Sequence, residues 1–368
     1  MTTDIVNRVI ELAIQIQQIP APTLQEGKRA EFLCKQFSDE HLQDVAIDET
    51  GNVLARLPGE GQAKPLIVSA HMDTVFPFET DLRVTREQAV IRGPGLGDNS
   101  TGVAALFGLV WSLRERTISL PGDVWLVANI GEEGLGNLRG MKATVARFGA
   151  NVHAYLVVEG LALGHVYYRA VGVKRYRVKV RTAGGHSWSD YGQPSAIHEL
   201  ARLVMQLSSL NLPSHPRTTM NVGKIAGGTS INVIASEASF DLDLRSEGKE
   251  SLAELISAVE RLFHHANGQG VSVDVEVIGQ RPAGEISASH PLVLLAKTCL
   301  QEQGLDAGLI SGSTDANVPL SKGYPAIVLG VTTGGSAHTV NEYINTKPIK
   351  QGIEQLVCFV SRVWGTKD

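Results

Sequence analysis

Apolar runs bounded by turn residues recur at Leu66 to Ala70, Val124 to Ile130, Ala154 to Val158 and Ala326 to Leu329. Continuous runs of this length mark strands buried on both faces, as in parallel sheets. Helical patterns lie between them, at Thr101 to Arg114 and at Pro291 to Gln303, where Gly304 stops the helix. The pattern predicts an α/β fold with a mixed, mostly parallel sheet flanked by helices. From Val171 to Gln280 the rhythm changes. Val173 to Val180, Thr218 to Ile225, Ser239 to Leu244 and Val271 to Ile278 read as extended strands, three of them alternating, and Ala196 to Leu210 and Ser251 to Ala266 read as helices. The order β-α-β-β-α-β is that of a ferredoxin-like α+β unit. The chain is therefore expected to hold a discontinuous domain, residues 1–170 and 282–368, interrupted by an inserted domain at 171–281.

Composition narrows the function. Lys plus Arg total 33 against 38 for Asp plus Glu, a formal charge of -5, so no basic field exists to hold phosphate backbones or anionic lipid. Neither nucleic acid nor membrane is expected as a partner. The first 17 residues carry charges through their apolar positions and read as an amphipathic helix rather than a signal peptide, and Gly102 to Leu113 is too short to span a bilayer. Cys34, Cys299 and Cys358 are odd in number and far apart, which predicts reduced thiols in a cytoplasmic protein. Glycine, at 38 of 368 residues, exceeds its usual share of about 7%. Much of the excess falls in loops after the apolar runs, where backbone can approach a ligand closely.

In open α/β sheets, ligands bind beyond the carboxyl ends of the strands. The residues after the buried runs are therefore informative: His71-Met72-Asp73, Gly131-Glu132-Glu133-Gly134, Glu159, and His338 after a Gly-rich loop. Asp98 lies in Gly97-Asp98-Asn99-Ser100-Thr101-Gly102, ahead of a helix. Taken singly, each has a plainer reading: a polar strand end, a solvated acidic loop, a helix cap. Together they bring five carboxylates and two imidazoles to one rim, with no Lys or Arg in these segments except Arg92. Like charges about 4 Å apart repel by around 4 kcal/mol at an effective dielectric of 20, so bound cations are the natural counter-charge. Imidazole and carboxylate donors without thiolate fit zinc best, with manganese or cobalt as alternatives.

These segments resemble the dinuclear zinc exopeptidases and deacylases of the M20 type, a family that includes aminoacylase, succinyl-diaminopimelate desuccinylase, tripeptidase T and glutamate carboxypeptidase. The resemblance rests on Leu66 to Val75, Gly97 to Gly102, Glu132-Glu133, Glu159 and Ser336-Ala337-His338-Thr339, in the family's order along the whole chain. It implies the zinc-exopeptidase sheet with the insertion as a lid. It implies two divalent ions, one held by His71 and Glu159, the other by Glu133 and His338, with Asp98 bridging and the peptide bond after Asp98 cis. Asp73 would orient His71, and Glu132 would be the general base. Glu rather than Asp at position 159 is more like the deacylases and desuccinylases. Thr182 to Ser187 resembles the lid segment whose His, here His186, reaches a partner subunit's active site in dimeric members. Gly227 to Ile234 and Asp241 to Arg245 resemble substrate-side segments, which makes Asn232 and Arg245 candidates for gripping a substrate carboxylate. An ion pair of Arg245 with Asp243 or Asp241 is the competing reading. Ser313-Thr314-Asp315 resembles a pocket-lining loop, with Thr314 as the candidate.

The expected function is hydrolysis of an amide bond in short peptides by a cytoplasmic homodimer, with an N-acyl-amino-acid deacylase as the alternative and a non-catalytic metal-binding scaffold as a remote one. A dinucleotide site is excluded because the third Gly of G-x-G-x-x-G would fall at Asp98. The chain also lacks the G-x-S-x-G elbow of the α/β serine hydrolases.

Overall fold

The structure is a computed structural model and describes residues 3–366. Helices α1 (Thr3–Gln17) and α2 (Gly27–Asp39) precede β1 (Gln43–Ile47), β2 (Val53–Leu57), β3 (Leu66–His71), α3 (Thr101–Glu115), β4 (Val124–Asn129), α4 (Arg139–Phe148), β5 (Ala154–Glu159) and β6 (His165–Ala170). Next come β7 (Gly172–Thr182), α5 (Ala196–Ser208), β8 (Thr218–Gly227), β9 (Glu237–Ser246), α6 (Lys249–His265) and β10 (Val271–Arg281). The chain continues through α7 (Pro291–Glu302), β11 (Gly308–Gly312), the short α8 (Asn317–Ser321), β12 (Ala326–Gly330) and α9 (Ile349–Arg362). Each apolar run is a strand. The amphipathic pattern at the N-terminus is α1, and the first two residues of that predicted helix lie outside the described residues.

Within the described residues the chain divides into two compact units, one before Val171 and after Gly284, the other from Val171 to Gly284. The second boundary falls at Gly284 rather than at 281. Strand β10 runs to Arg281, and Ala283 packs against Gly172 at the start of β7.

In the first unit the sheet order is β1-β2-β4-β3-β5-β12-β6, with β11 alongside β6. Strand β3 runs parallel to β4 and β5, and β12 parallel to β5, so four carboxyl ends share one edge. Side chains alternate across this sheet. Leu66, Val68 and Ala70 enter one core with α1, α3 and α9, whereas Ile67 enters another with Met141 and Val145 of α4 and Val318 and Leu320 of α8. By the same alternation His71, Asn129 and Glu159, at the ends of β3, β4 and β5, lie on the face of Ile67, Val127 and Val157. Helix α3 is buried from Thr101 to Leu113, which explains its nearly continuous apolar sequence. Its Phe107 stacks on Phe37 of α2 with ring centroids 4.5 Å apart.

The cysteine expectation is corrected. Helices α7 and α9 pack side by side and bring Cys299 and Cys358 together as a disulfide with Cα atoms 5.8 Å apart, leaving Cys34 free. A separation of 59 residues carries no local signal for that pairing.

In the second unit four antiparallel strands are ordered β8-β9-β7-β10, the ferredoxin-like arrangement. Tyr176, Val178 and Val180 of β7 and Phe240, Leu242 and Leu244 of β9 pack under α5 and α6. The opposite face is a charge ladder. Arg175 meets Asp243 at 2.8 Å and Arg177 meets Asp241 at 2.9 Å, while Arg181 pairs with Glu237 at 3.2 Å and with Asp274. Among the described residues no helix is long and apolar enough to cross a membrane.

Candidate metal centre

The edge shared by β3, β4, β5 and β12 gathers His71, Asp98, Glu133, Glu159 and His338. His71 Nε2 lies 3.1 Å from Asp98 Oδ1 and 3.6 Å from Glu159 Oε2. His338 Nε2 lies 3.1 Å from Asp98 Oδ2 and 2.9 Å from Glu133 Oε1. Each oxygen of Asp98 thus faces a different imidazole. Among the described residues His71, Asp98 and Glu133 form one cluster whose donor atoms lie within 4.8 Å of one another. The peptide bond after Asp98 is cis, and Asp98 and Asn99 stand outside helical geometry, so Asp98 is not a helix cap.

The donor set fits divalent cations. Both imidazole Nε2 atoms face carboxylates, so without metal they must carry protons as counter-charge. His338 is pushed up to about 10 by its bonds to Asp98 and Glu133. Burial works to lower His71, yet its bonds to Asp73, Asp98 and Glu159 lift it well above the usual imidazole range. Asp98 is driven down despite its burial by the same two histidines. Cations in place of those protons would satisfy the same carboxylates.

Asp73 organises the ligand-bearing loops. It is fully buried and accepts the backbone N–H groups of Glu132 at 3.0 Å and Glu133 at 2.9 Å, and the Thr23 hydroxyl at 2.9 Å. His71 Nδ1 donates to the Asp73 carbonyl at 3.1 Å and lies 3.5 Å from its carboxylate, which leaves Nε2 for a metal. Glu132 is therefore held by its backbone on the same carboxylate that orients His71. Burial would raise Asp73, but His71 and the two N–H donors bring it below its usual range.

Several partners escaped the sequence reading. Arg29 of α2 is fully buried, donates to the carbonyls of Met72 at 2.7 Å and Ile19 at 2.9 Å, and supplies positive charge near Asp73. This cation comes from α2, outside the segments that carry the candidate ligands; Arg92 is exposed and lies over the Tyr343 ring. Burial pulls Arg29 down to about 10. Its signal was legible: Arg29 shares the buried face of α2 with Leu33 and Phe37. Asn99 spans the base of Glu159, donating to the Val158 carbonyl at 2.9 Å and accepting the Gly160 N–H at 2.6 Å. Gly160 must be glycine, because a Cβ there would overlap the Gly97 carbonyl oxygen. Glu342, four residues after His338, is buried and accepts backbone N–H groups of the Asp98 loop.

In the Ser313-Thr314-Asp315 loop, Thr314 is tied into its own turn, its N–H to Asn317 Oδ1 at 2.9 Å and its hydroxyl accepting the Ala316 N–H at 3.2 Å. Asp315 is wholly buried and its Oδ2 accepts from Asn129 Nδ2 at 2.6 Å, while Asp315 Oδ1 and Asn129 Oδ1 have no partner. A carboxyl with one donor in a dry site favours its neutral form. Burial pushes Asp315 up to about 7.

The remaining candidates belong to the second unit. His186 stands on a two-residue bridge pairing Gly185–His186 with Val233–Ile234. Its Nδ1 accepts the N–H groups of Trp188 at 3.2 Å and Ser189 at 3.4 Å, which places its proton on Nε2. Asn232 is exposed beside it and accepts the Ser187 N–H at 3.0 Å through its backbone carbonyl. Arg245 is 44% exposed and pairs with Asp243 at 2.6 Å, the ion pair weighed from sequence.

The sequence profile of peptidase family M20/M25/M40 matches residues 67–362. The chain belongs to this family. It is a hydrolase of the metallopeptidase and amidohydrolase kind. An uncharacterised Bacillus subtilis protein, YqjE, is 26% identical over 366 residues, covering 95% of each chain. The N-formyl-4-amino-5-aminomethyl-2-methylpyrimidine deformylase of Halalkalibacterium halodurans is 26% identical over 84% of this M20 chain and 82% of its own. A solved tripeptidase from Staphylococcus aureus superposes with a TM-score of 0.84 at 23% identity, over 97% of this chain and 98% of that one.

The Asp315 pair sets a pH dependence in metal-free protein. The folded carboxyl keeps its proton to about pH 7, whereas the unfolded chain releases it near 4. Between those values the folded state binds more protons, so this group's contribution to stability falls as pH rises. Asp315→Asn keeps the shape and removes the titration. Its stability relative to the wild type, read from urea unfolding, should rise by at least about 1 kcal/mol from pH 4.5 to 7. A difference independent of pH would contradict the buried acid–amide pair.

Proposed function

We propose that this protein is a two-metal exopeptidase that hydrolyses short peptides. The observation that carries the reading is Asp98, whose two oxygens face His71 and His338 separately at 3.1 Å. His71, Asp98 and Glu159 would hold one ion; Asp98, Glu133 and His338 would hold the other. Zinc suits this donor set best, with manganese or cobalt as alternatives. Bound there, the ions would supply a water acidified toward about pH 7 and a Lewis acid for the amide carbonyl.

The chain's own residues do the rest. Glu132 accepts the proton of the attacking water as the new C–O bond forms, then returns it to the amine nitrogen as the C–N bond breaks. Asp73 keeps Glu132 and His71 in register. The Nε2–H of His186 is the donor for the developing oxyanion. Asn232 and Arg245 grip the substrate carboxylate, Arg245 keeping Asp243 as its resting partner, and Thr314 lines the pocket. We also propose that the Val171–Gly284 unit pairs two copies, so that each supplies His186 to the other. The exposed Trp188, Tyr191 and Ile231 on the segments around His186 are apolar surface suited to such a contact.

A second reading, hydrolysis of N-acyl amino acids, is favoured by Glu159 and by the deformylase relative. A panel of di- and tripeptides against acetyl, succinyl and formyl amino acids, run with added zinc, manganese or cobalt, separates the two. Glu132→Gln should lower turnover by about 10²- to 10⁴-fold while metal content stays near two per chain. Retained activity would remove Glu132 as the base. Mixing Glu132→Gln chains with His186→Ala chains should restore activity if sites are shared between subunits; no recovery would make each chain self-sufficient or the pairing wrong.

A further inference from the structure

Glu342 has no place in the chemistry described so far, yet its geometry is unusual for a carboxylate. It is wholly buried. Its Oε1 accepts the N–H groups of Gly97 at 2.6 Å and Asp98 at 2.9 Å, its Oε2 accepts Gly95 N–H at 3.1 Å, and its carbonyl accepts Gly93 N–H at 2.9 Å. Four backbone donors of one loop thus end on one residue. No Lys or Arg pairs with it among the described residues. Successive N–H groups converging on a carboxylate form an anion nest, and the anion here is a side chain of the protein itself.

The placement matters because of what lies at either end. The last donor is the N–H of Asp98, so the bond fixes the backbone from which the bridging carboxylate projects. Glu342 also follows His338 by four residues, joined to it through a turn in which the Glu342 N–H donates to the Thr339 carbonyl at 3.1 Å. One side chain therefore ties the loop carrying Asp98 to the loop carrying His338, whose reactive atoms stand 3.1 Å apart. Gly97 leaves room for this approach: a Cβ there would lie 3.2 Å from Glu342 Oε1 and 2.9 Å from Leu161. Asn99 does the equivalent on the other side, tying the same loop to the residues flanking Glu159.

We propose that Glu342 is a positioning residue for the bridging carboxylate, holding Asp98 at the correct distance from His338 and thereby setting the affinity of the ion shared by Asp98, Glu133 and His338. The inference rests on the two-metal reading. A nest that merely closed a loop would contribute to stability alone, whereas this one acts on the metal.

The test measures zinc affinity by chelator competition and the visible spectrum of the cobalt-loaded protein, for the wild type, Glu342→Ala, Glu342→Gln and a core control, Val145→Ala. Glu342→Ala should weaken binding of one of two ions by about 10- to 100-fold, change the cobalt band and lower kcat more than it raises KM. Glu342→Gln keeps an oxygen for Gly97 and Asp98 but turns an NH2 group toward Gly95, and should recover part of that loss. Val145→Ala should lower the melting temperature without moving metal affinity or spectrum. If Glu342→Ala does not fold, Glu342→Gln decides, with a loss of roughly 3- to 10-fold expected. Glu342 variants with wild-type affinity and spectrum would overturn the inference. A wild type that takes up no second ion would instead overturn the metal reading itself.

Discussion

Buried carboxylates held by backbone N–H groups are the constraint on which this structure depends. Asp73 accepts the amides of Glu132 and Glu133, and Glu342 those of Gly95, Gly97 and Asp98. Glu26 accepts the amides of Leu24 and Gly131. A hydrogen bond to a charged group contributes roughly 1.5–3 kcal/mol, so two or three of them offset much of the cost of keeping a carboxylate out of water. Four of these seven bonds come from a metal-ligand candidate or the residue beside it: Glu132, Glu133, Gly97 and Asp98. The interactions that make the acidic cluster tolerable are the ones that aim it.

Those amides come from loops, and the loops are placed by the sheet. Parallel β3, β4, β5 and β12 deliver their carboxyl ends to one edge, and alternation puts His71 and Glu159 on a common face. On the same face Asn129, the register partner of His71, bonds to the buried Asp315. The centre is thus a layered arrangement: candidate ligands at the rim, carboxylates and amides clamping their backbones, and Arg29 supplying charge from behind, bonded to the Met72 carbonyl next to Asp73.

The fold and the outer layer of the site were legible in the sequence because they obey local rules. Doubly buried strands show as unbroken apolar runs, and the rim residues follow them directly. The ferredoxin-like order of the second unit is legible in three alternating strands, one extended run and two helical segments in the order β-α-β-β-α-β. The layer behind the rim was legible only in part. Arg29 could have been found as a cation on the apolar face of α2, and Asn99 sat inside a segment already singled out. Glu342 and the Asn129–Asp315 pair could not, because their partners lie up to 247 residues away and nothing in a short window marks them. The Cys299–Cys358 pairing was misread for the same reason. It depends on two helices lying side by side, which spacing does not encode.

The central claim is that Asp98 is shared by two ions, one on the His71 and Glu159 side and one on the Glu133 and His338 side. The most direct measurement is anomalous diffraction from a crystal of the zinc-loaded protein. The account predicts two anomalous peaks flanking Asp98, one in contact with His71 and Glu159, the other with Glu133 and His338. A single peak, or peaks that do not share Asp98, would contradict it.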